Sequence, residues 1–122
     1  MEPTADEPGR DHWVICLCAQ WCGVCREWRP AFERAAAGHP SVRFAWVDVE
    51  DEAAAMGDVD VETFPTLLIA AAGRPVFFGP VLPAAAQFDR LLATVLASGA
   101  RPTGITPEVA ELFPRLAGML RN

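Results

Sequence analysis

Four cysteines lie close together near the start of the chain, between positions 16 and 25. Cys22 and Cys25 enclose only Gly23 and Val24, a spacing at which two thiols can close into a disulfide. Such a pair supports thiol-disulfide exchange, in which one thiolate attacks a substrate disulfide and its partner displaces the reduced product. Four cysteines are too few and too crowded for a secreted scaffold built on disulfides. The cluster therefore indicates a redox site.

The two thiols of this pair have different predicted roles, because they stand at the start of a predicted helix. Cys22 would lie at the helix N-terminus, where free backbone N–H groups and the helix dipole favour the thiolate. Cys25 falls on the apolar stripe of the same helix, so we expect it to be sheltered and to act as the resolving thiol. Gly23 would permit a tight turn and close substrate approach, and Arg26 would add positive charge that favours the thiolate.

The remaining two cysteines are predicted to be less reactive than this pair. Cys16 and Cys18 lie in a predicted buried strand, where free cysteines mostly serve as small apolar fillers. A second disulfide involving Cys18 is the alternative, so both are candidate secondary thiols. Four thiolates could also bind a metal, but structural zinc prefers two separated pairs rather than a strand followed by a helix start. We therefore expect no metal and no bound cofactor.

The elements that position these thiols follow from apolar periodicity. Strands are expected at residues 13–19, 42–49, 66–71 and 75–78, and helices at residues 22–37, 51–56 and 83–97 and in a final segment capped by Thr106. Pro30 should kink the first helix, and Pro114 predicts a last helix broken into two pieces. The order of elements predicts an α/β domain whose mixed sheet is covered on both faces.

Composition limits the number of domains and the partners. The 122 residues, of which 52% are hydrophobic, suit one domain with one sizeable core. A net charge of -6 disfavours nucleic acid and anionic lipid surfaces, and the absence of lysine excludes Schiff-base chemistry. No apolar stretch reaches the roughly 20 residues that cross a bilayer, and residues 1–11 do not read as a signal peptide. We expect a flexible leader at residues 1–11 and a cytoplasmic protein without a membrane partner.

Two separated motifs resemble the thioredoxin family. Residues 21–25 (WCGVC), followed by Pro30, are similar to that family's WCGPC motif and its kinked helix. Residues 63–67 (TFPTL) are similar to the segment around the family's cis-proline. With Asp48 at a strand end and Gly79 after the hairpin, the match extends over about residues 13–97. The resemblance implies a thioredoxin-like fold, with a central mixed sheet flanked by helices.

The same resemblance implies an activity and a site. It implies a protein-disulfide oxidoreductase that uses Cys22 and Cys25 without a bound cofactor and serves cell redox homeostasis. Phe64-Pro65 would be cis and pack against the active-site sulfurs, Trp21 would flank the site, and the backbone near residue 64 would pair with an extended substrate. Partners would be protein disulfides and an electron donor such as a thioredoxin reductase or the glutathione system, and the protein would be a monomer or a weak homodimer. The alternative is a binding module that holds a client in the groove beside the proline.

The sequence departs from the family pattern at three points, and each departure leads to a prediction. Cys16 stands where the family has a buried Asp, so the usual proton relay with a Lys is absent, and either water or Cys16 replaces it or exchange is slower. Val24 replaces the usual proline, which predicts a potential less reducing than the thioredoxin end of a scale from about -270 mV to about -120 mV. The family's first strand and helix are expected to be missing, which places strand 42–49 at a sheet edge. We therefore divide the chain into a thioredoxin-like domain at residues 12–100 and a C-terminal helical extension at residues 101–122 that packs on it.

Overall fold

The computed structural model describes residues 12–96 and 101–121, and within them four strands and four helices follow one another. The strands are β1 (Trp13–Cys18), β2 (Arg43–Asp48), β3 (Thr66–Ala71) and β4 (Arg74–Pro80). The helices are α1 (Gly23–Gly38), α2 (Ala53–Met56), α3 (Ala85–Val95) and α4 (Pro107–Arg121). The predicted flexible leader at residues 1–11 and the predicted helix end at residue 97 lie outside the described residues.

The four strands form one sheet in the order β2-β1-β3-β4. β1 runs parallel to β2 and antiparallel to β3, and β3 and β4 form an antiparallel hairpin. All six residues of β1 are buried, which explains why this strand is a continuous apolar run rather than an alternating one. The prediction of a mixed sheet flanked by helices is confirmed, and β2 lies at an edge of it.

Alternate side chains of β1 enter two different cores, since successive residues of a strand point to opposite faces. On one face, Ile15 and Leu17 pack with α2 and α4. On the other face, Val14, Cys16 and Cys18 pack with α1 and α3. We call the second one the thiol core, because it also contains Cys25 and three large aromatic side chains, which are Trp28, Phe32 and Phe88.

The C-terminal helix differs from its sequence-based prediction. Pro114 lies inside α4, which continues from Pro107 to Arg121, so the prediction of two separate pieces is wrong. Phe113 before the proline and Leu116 after it are both buried in the core that contains Ile15. Packing on both sides of the proline keeps the helix continuous, because tertiary contacts contribute more to helix stability than local propensity does. Thr106 caps this helix, with its Oγ1 accepting a hydrogen bond of 3.2 Å from the Val109 N–H.

The other boundaries shift by at most two residues. The predicted helices at residues 51–56 and 83–97 are shorter, at Ala53–Met56 and Ala85–Val95, while the hairpin strand predicted at 75–78 is longer, at Arg74–Pro80. Pro30 lies inside α1, as expected. No helix within residues 12–96 and 101–121 is long and apolar enough to cross a membrane.

Candidate redox site

Cys22 lies at the N-cap of α1, immediately after the end of β1 and a short turn. Its backbone is extended, with φ of -83° and ψ of 115°, and its N–H donates to the Ala19 carbonyl at 3.0 Å. The thiol is free and partly exposed. The first-turn N–H groups that follow it have no acceptor within the helix, so this residue stands at the positive end of a 16-residue helix. This is the exposure and position that a nucleophilic thiol requires.

The disulfide in the structure joins Cys18 to Cys25, whereas the sequence predicted a bond between Cys22 and Cys25. The two Cα atoms are 6.0 Å apart, and the residues are 0% and 1% exposed. The pairing follows from the alternation of β1, which points Cys18 into the thiol core where the buried stripe of α1 places Cys25. The secondary disulfide that the sequence offered as an alternative is therefore the one present. Its signal in the sequence was a further thiol in the strand that precedes the Cys22–Cys25 pair.

Cys16 is a fully buried free thiol beside this disulfide. Its Sγ lies 3.6 Å from Cys18 Sγ. Burial raises the pKa of the Cys16 thiol to about 12, and the neighbouring Trp28 indole and the charge of Arg29 offset only part of that effect. Cys16 is consequently protonated throughout the neutral range. It therefore supplies no thiolate that could act as a base at neutral pH.

Exposed apolar side chains lie close to Cys22 in the sequence and after β4. Within the described residues the exposed large apolar side chains are Trp21, Val24 and Leu82, at 62%, 44% and 63%. Two of them flank Cys22 in sequence, and Leu82 follows Val81, whose N–H donates to the carbonyl oxygen of Pro65 at 3.0 Å. We call these three side chains, together with Phe64, the apolar rim.

The apolar rim is held in place by contacts of its aromatic rings and by the segment before β3. Trp21 and Phe64 meet edge to face, with ring centroids 5.6 Å apart, and Trp21 Nε1 donates to Glu50 Oε2 at 2.8 Å. The Phe64–Pro65 peptide bond is cis, and Pro65 is fully buried. The rim therefore presents apolar surface beside a thiol, on a backbone that the sheet fixes.

Arg26 and Gly23 both lie in the first turn of α1. Arg26 Nη1 donates to the Gln20 carbonyl oxygen at 2.7 Å, so this side chain secures the turn before Cys22. Gly23 is the first residue of α1 without a left-handed backbone, and a Cβ there would meet only Arg26 Nη2, at 3.8 Å. The turn at this position therefore does not depend on glycine. Its use in letting a substrate approach closely stays a prediction.

Asp48, at the end of β2, also holds the turn before Cys22. Its Oδ2 accepts the Gln20 N–H at 2.7 Å, and its Oδ1 accepts the N–H groups of Glu50 and Asp51 at 2.8 and 3.0 Å. Desolvation acts to raise the pKa of Asp48, but the hydrogen bonds from Asp51, Glu50 and Gln20 outweigh it, and the pKa lies below its usual value. The sequence marked this residue only as a strand end.

Replacing Asp48 with alanine should destabilise the fold in a pH-dependent way. We expect the free energy of unfolding at neutral pH to fall by about 1 kcal/mol, as for the loss of a capping side chain. Because the folded-state pKa is lowered, this contribution is present above the usual carboxyl pKa and is lost as pH falls through the folded value. Urea denaturation at pH 7 and below about pH 4 measures both effects. Asp51→Ala removes an exposed carboxylate in the same loop and is the control; an equal effect there would contradict the assignment.

A cavity of about 510 Å³ opens next to Cys25. Its walls come from the start of α1, the end of β2 and the last turns of α4, and they include Arg26, Arg29, Asp48 and Met119. Arg29 also stacks over the Trp46 ring at 4.9 Å. The contribution of α4 could not be read from the sequence, because it depends on how the C-terminal segment packs.

The geometry gives little support for a metal site at the cysteines. Within the part of the chain that the structure describes, no three His, Cys, Asp or Glu side chains are arranged to hold a metal ion. Cys18 and Cys25 are bonded to each other, so their sulfurs are not available as thiolate ligands. The four cysteines are thus grouped as one disulfide, one buried thiol and one partly exposed thiol.

Comparison with known proteins gives consistent matches. The Thioredoxin family model matches residues 6–87. The chain is 36% identical over 77 residues to putative thioredoxin 2 of Streptomyces coelicolor, covering 62% of this chain and 58% of that protein. It is 32% identical over 106 residues to protein disulfide isomerase-like 2-3 of Oryza sativa subsp. japonica, covering 84% of this chain and 23% of that protein. The chain therefore spans less than two thirds of the length of either relative.

Among solved structures, the thioredoxin of Fasciola hepatica superposes on this chain with a TM-score of 0.62. The two are 30% identical, and the superposition covers 71% of this chain and 82% of the other. Mitochondrial thioredoxin 3 of Saccharomyces cerevisiae, in its oxidised form, superposes with a TM-score of 0.59 at 24% identity, over 69% of this chain and 78% of the other. The fold predicted from residues 21–25 and 63–67 is confirmed.

Proposed function

Since this chain belongs to the thioredoxin family, we propose that it is a thiol-disulfide oxidoreductase that exchanges disulfides with other proteins. The observation that carries the proposal is the free, partly exposed thiol of Cys22 at the N-terminus of α1. Cys25 lies in the first turn of the same helix, and the apolar rim adjoins both. A nucleophile, a second thiol one turn away and a surface for polypeptide are the parts that disulfide exchange needs.

In the proposed reaction, the Cys22 thiolate attacks one sulfur of a substrate disulfide. A mixed disulfide forms with Cys22 Sγ, and the other substrate sulfur leaves as a thiolate that takes up a proton from water. Cys25, when it is a free thiolate, then attacks Cys22 Sγ, closes the Cys22–Cys25 disulfide and releases the second substrate sulfur. Cys25 gives its proton to water, because Cys16 stays protonated at neutral pH and holds no base. An external electron donor restores the two thiols.

Substrate polypeptide would lie along the apolar rim. Trp21 and Leu82 expose most of their surface, and apolar side chains of this kind form the anchors of protein interfaces. The segment at Phe64 leads directly into β3, so its backbone could pair with an extended substrate strand. This pairing would bring a substrate disulfide to Cys22.

Trp21→Ala should weaken substrate binding while leaving the chemical step intact. We expect KM for a protein disulfide to rise about tenfold, which is about 1.4 kcal/mol, with kcat nearly unchanged. Trp21→Phe is the matched control, since it keeps an aromatic ring against Phe64 while losing the hydrogen bond to Glu50. Steady-state reduction of insulin separates KM from kcat. A fall in kcat alone would assign Trp21 to the reaction rather than to binding.

The proposal also covers the compartment, the electron donor, the oligomeric state and the redox potential. We place the protein in the cytoplasm, in cell redox homeostasis, with a thioredoxin reductase or the glutathione system as electron donor and a monomer or weak homodimer as the active state. Val24 in place of proline supports a potential less reducing than that of thioredoxin. Titration of the protein in glutathione buffers, with mass spectrometry counting blocked thiols, measures that potential, and a value at or below about -270 mV would refute this part.

Turnover of insulin disulfides, with dithiothreitol as electron source, tests the enzyme directly. The competing function is a binding module that holds a client on the apolar rim, and the buried Cys18–Cys25 bond favours it, because it removes the resolving thiol. Loss of activity in a Cys22→Ser/Cys25→Ser protein supports the enzyme. Retained cellular function in that variant supports the binding module.

A further inference from the structure

We propose that Cys18 is a third redox thiol of this site, which exchanges with Cys22 for the bond to Cys25. This inference rests on the proposed function and deepens it. The oxidised domain would then exist as two disulfide isomers, an exposed one between Cys22 and Cys25 and a buried one between Cys18 and Cys25. Only the first has a disulfide sulfur, that of Cys22, which a thiol of another protein can reach.

The geometry makes Cys25 the shared partner. It is bonded to Cys18 across the contact between β1 and α1, with Cα atoms 6.0 Å apart. It also lies three residues after Cys22, in the first turn of the helix that Cys22 caps. Bonding to either partner therefore needs only local movement of side chains and of the first helical turn.

Burial gives the two isomers different access to solvent. Cys18 is 0% exposed and Cys25 is 1% exposed, so an external thiol cannot approach their bond in the folded domain. Cys22 is partly exposed and free. The buried disulfide is consequently opened from within, by Cys22. Cys16 does not take the place of Cys18, because its Sγ faces Cys18 Sγ at 3.6 Å and it is Cys18 that is bonded to Cys25.

The exchange is balanced without any external oxidant. The Cys22 thiolate attacks Cys25 Sγ, the Cys22–Cys25 bond forms, and the Cys25–Cys18 bond breaks with its electron pair on Cys18 Sγ. The buried Cys18 thiolate takes up a proton, which matches the proton that Cys22 lost. In the reverse direction Cys18 attacks Cys25 Sγ and Cys22 leaves as a thiolate. No net oxidation or reduction occurs in either direction.

The two isomers should behave differently toward a substrate. With Cys25 free as a thiol, a mixed disulfide on Cys22 is resolved and the product leaves. With Cys25 bonded to Cys18, the same mixed disulfide has no resolving thiol and persists. Cys18 would thereby switch the domain from a form that turns over to a form that holds its partner covalently.

Mapping of the oxidised full chain tests the proposal. The reduced protein is treated with one equivalent of oxidised glutathione, quenched in acid over a time course, alkylated in denaturant and cut with chymotrypsin. Cleavage after Leu17, Trp21 and Trp28 leaves Cys18 on residues 18–21, and Cys22 with Cys25 on residues 22–28. A Cys22–Cys25 bond stays within one fragment, whereas a Cys18–Cys25 bond joins two.

We expect the internal bond of fragment 22–28 to form first and the joined fragments to become the larger share with time. Cys18→Ala should keep all of the bond within fragment 22–28, and Cys16→Ala, which removes the other β1 thiol, should leave the joined fragments. In the native oxidised wild type, N-ethylmaleimide should label Cys22 while one disulfide remains, a measurement that needs no variant.

The role of Cys18 would be overturned if the wild type contains only the Cys22–Cys25 bond at every time point and N-ethylmaleimide does not label Cys22. That outcome would leave the proposed function intact. A disulfide between Cys16 and fragment 22–28 in the Cys18→Ala protein would also overturn the role of Cys18. Joined fragments in a wild type that does not reduce insulin would support the internal disulfide and contradict the proposed function instead.

Discussion

Cys22→Ser will lower the rate of insulin reduction by about 10³-fold or more, the size of effect seen when a covalent nucleophile is removed. Serine keeps the N-cap position and nearly the same volume, but its hydroxyl does not form a stable bond to sulfur. Cys22 is the free thiol at the exposed end of α1, and the other three cysteines are fully buried. No other cysteine can therefore take over the first attack. Initial rates with dithiothreitol as electron source measure the loss.

Two further variants check that the loss is specific. Cys16→Ala removes a thiol that is protonated at neutral pH, so the rate should stay within about twofold of the wild type, a change below about 0.5 kcal/mol. Cys25→Ser keeps the nucleophile and removes the resolving thiol, so a Cys22 mixed disulfide with substrate should accumulate and be visible by mass spectrometry. Activity that survives Cys22→Ser but not Cys16→Ala would reassign the nucleophile.

Leu116→Ala will lower the free energy of unfolding by about 3 kcal/mol, because it opens a cavity where α4 packs on the sheet. Leu116 is 0% exposed and belongs to the core formed with Ile15 and Leu17 of β1. A loss of this size is a large part of the roughly 5–15 kcal/mol that stabilises a domain. Urea denaturation followed by circular dichroism gives the value.

The exposed residue Glu111 on the same helix supplies the comparison, and Glu111→Ala should change stability by less than about 0.5 kcal/mol. An equally small effect of Leu116→Ala would mean that α4 does not contribute to the core in solution. Pro114 makes α4 especially sensitive to the loss of a packing residue. Its helix has one backbone hydrogen bond fewer and depends more on packing.

Much of this fold could be predicted, because its strongest signals are local. The apolar run of β1 indicates a strand that is buried on both faces, and the structure has it at the centre of the sheet. Period-two alternation predicts that Cys16 and Cys18 share one face of this strand, and the structure has both in the thiol core. The spacing of Cys25, Trp28 and Phe32 likewise identified the buried stripe of α1.

The remaining features depend on contacts between distant residues. Spacing alone cannot decide which of four cysteines are bonded, and the structure bonds Cys18, from the strand, to Cys25, from the helix. The local sequence around Pro114 predicts a break in the helix, yet buried residues before and after the proline keep α4 continuous. Asp48 acts on the amide of Gln20, 28 residues away in the chain, and no short-range pattern reveals that contact.

The alternation of β1 separates the domain into two faces that can be altered independently. Ile15 and Leu17 belong to the α4 side, and Val14, Cys16 and Cys18 belong to the thiol core. Substitutions that share no partners are usually additive in their effects. Protein engineers could therefore rebuild the α4 side for heat resistance, or graft a new recognition surface onto the part of that helix before its last turns, which line the cavity next to Cys25, while the thiol chemistry stays as it is. The same separation would let natural variation diversify one side of the molecule under constant selection on the other.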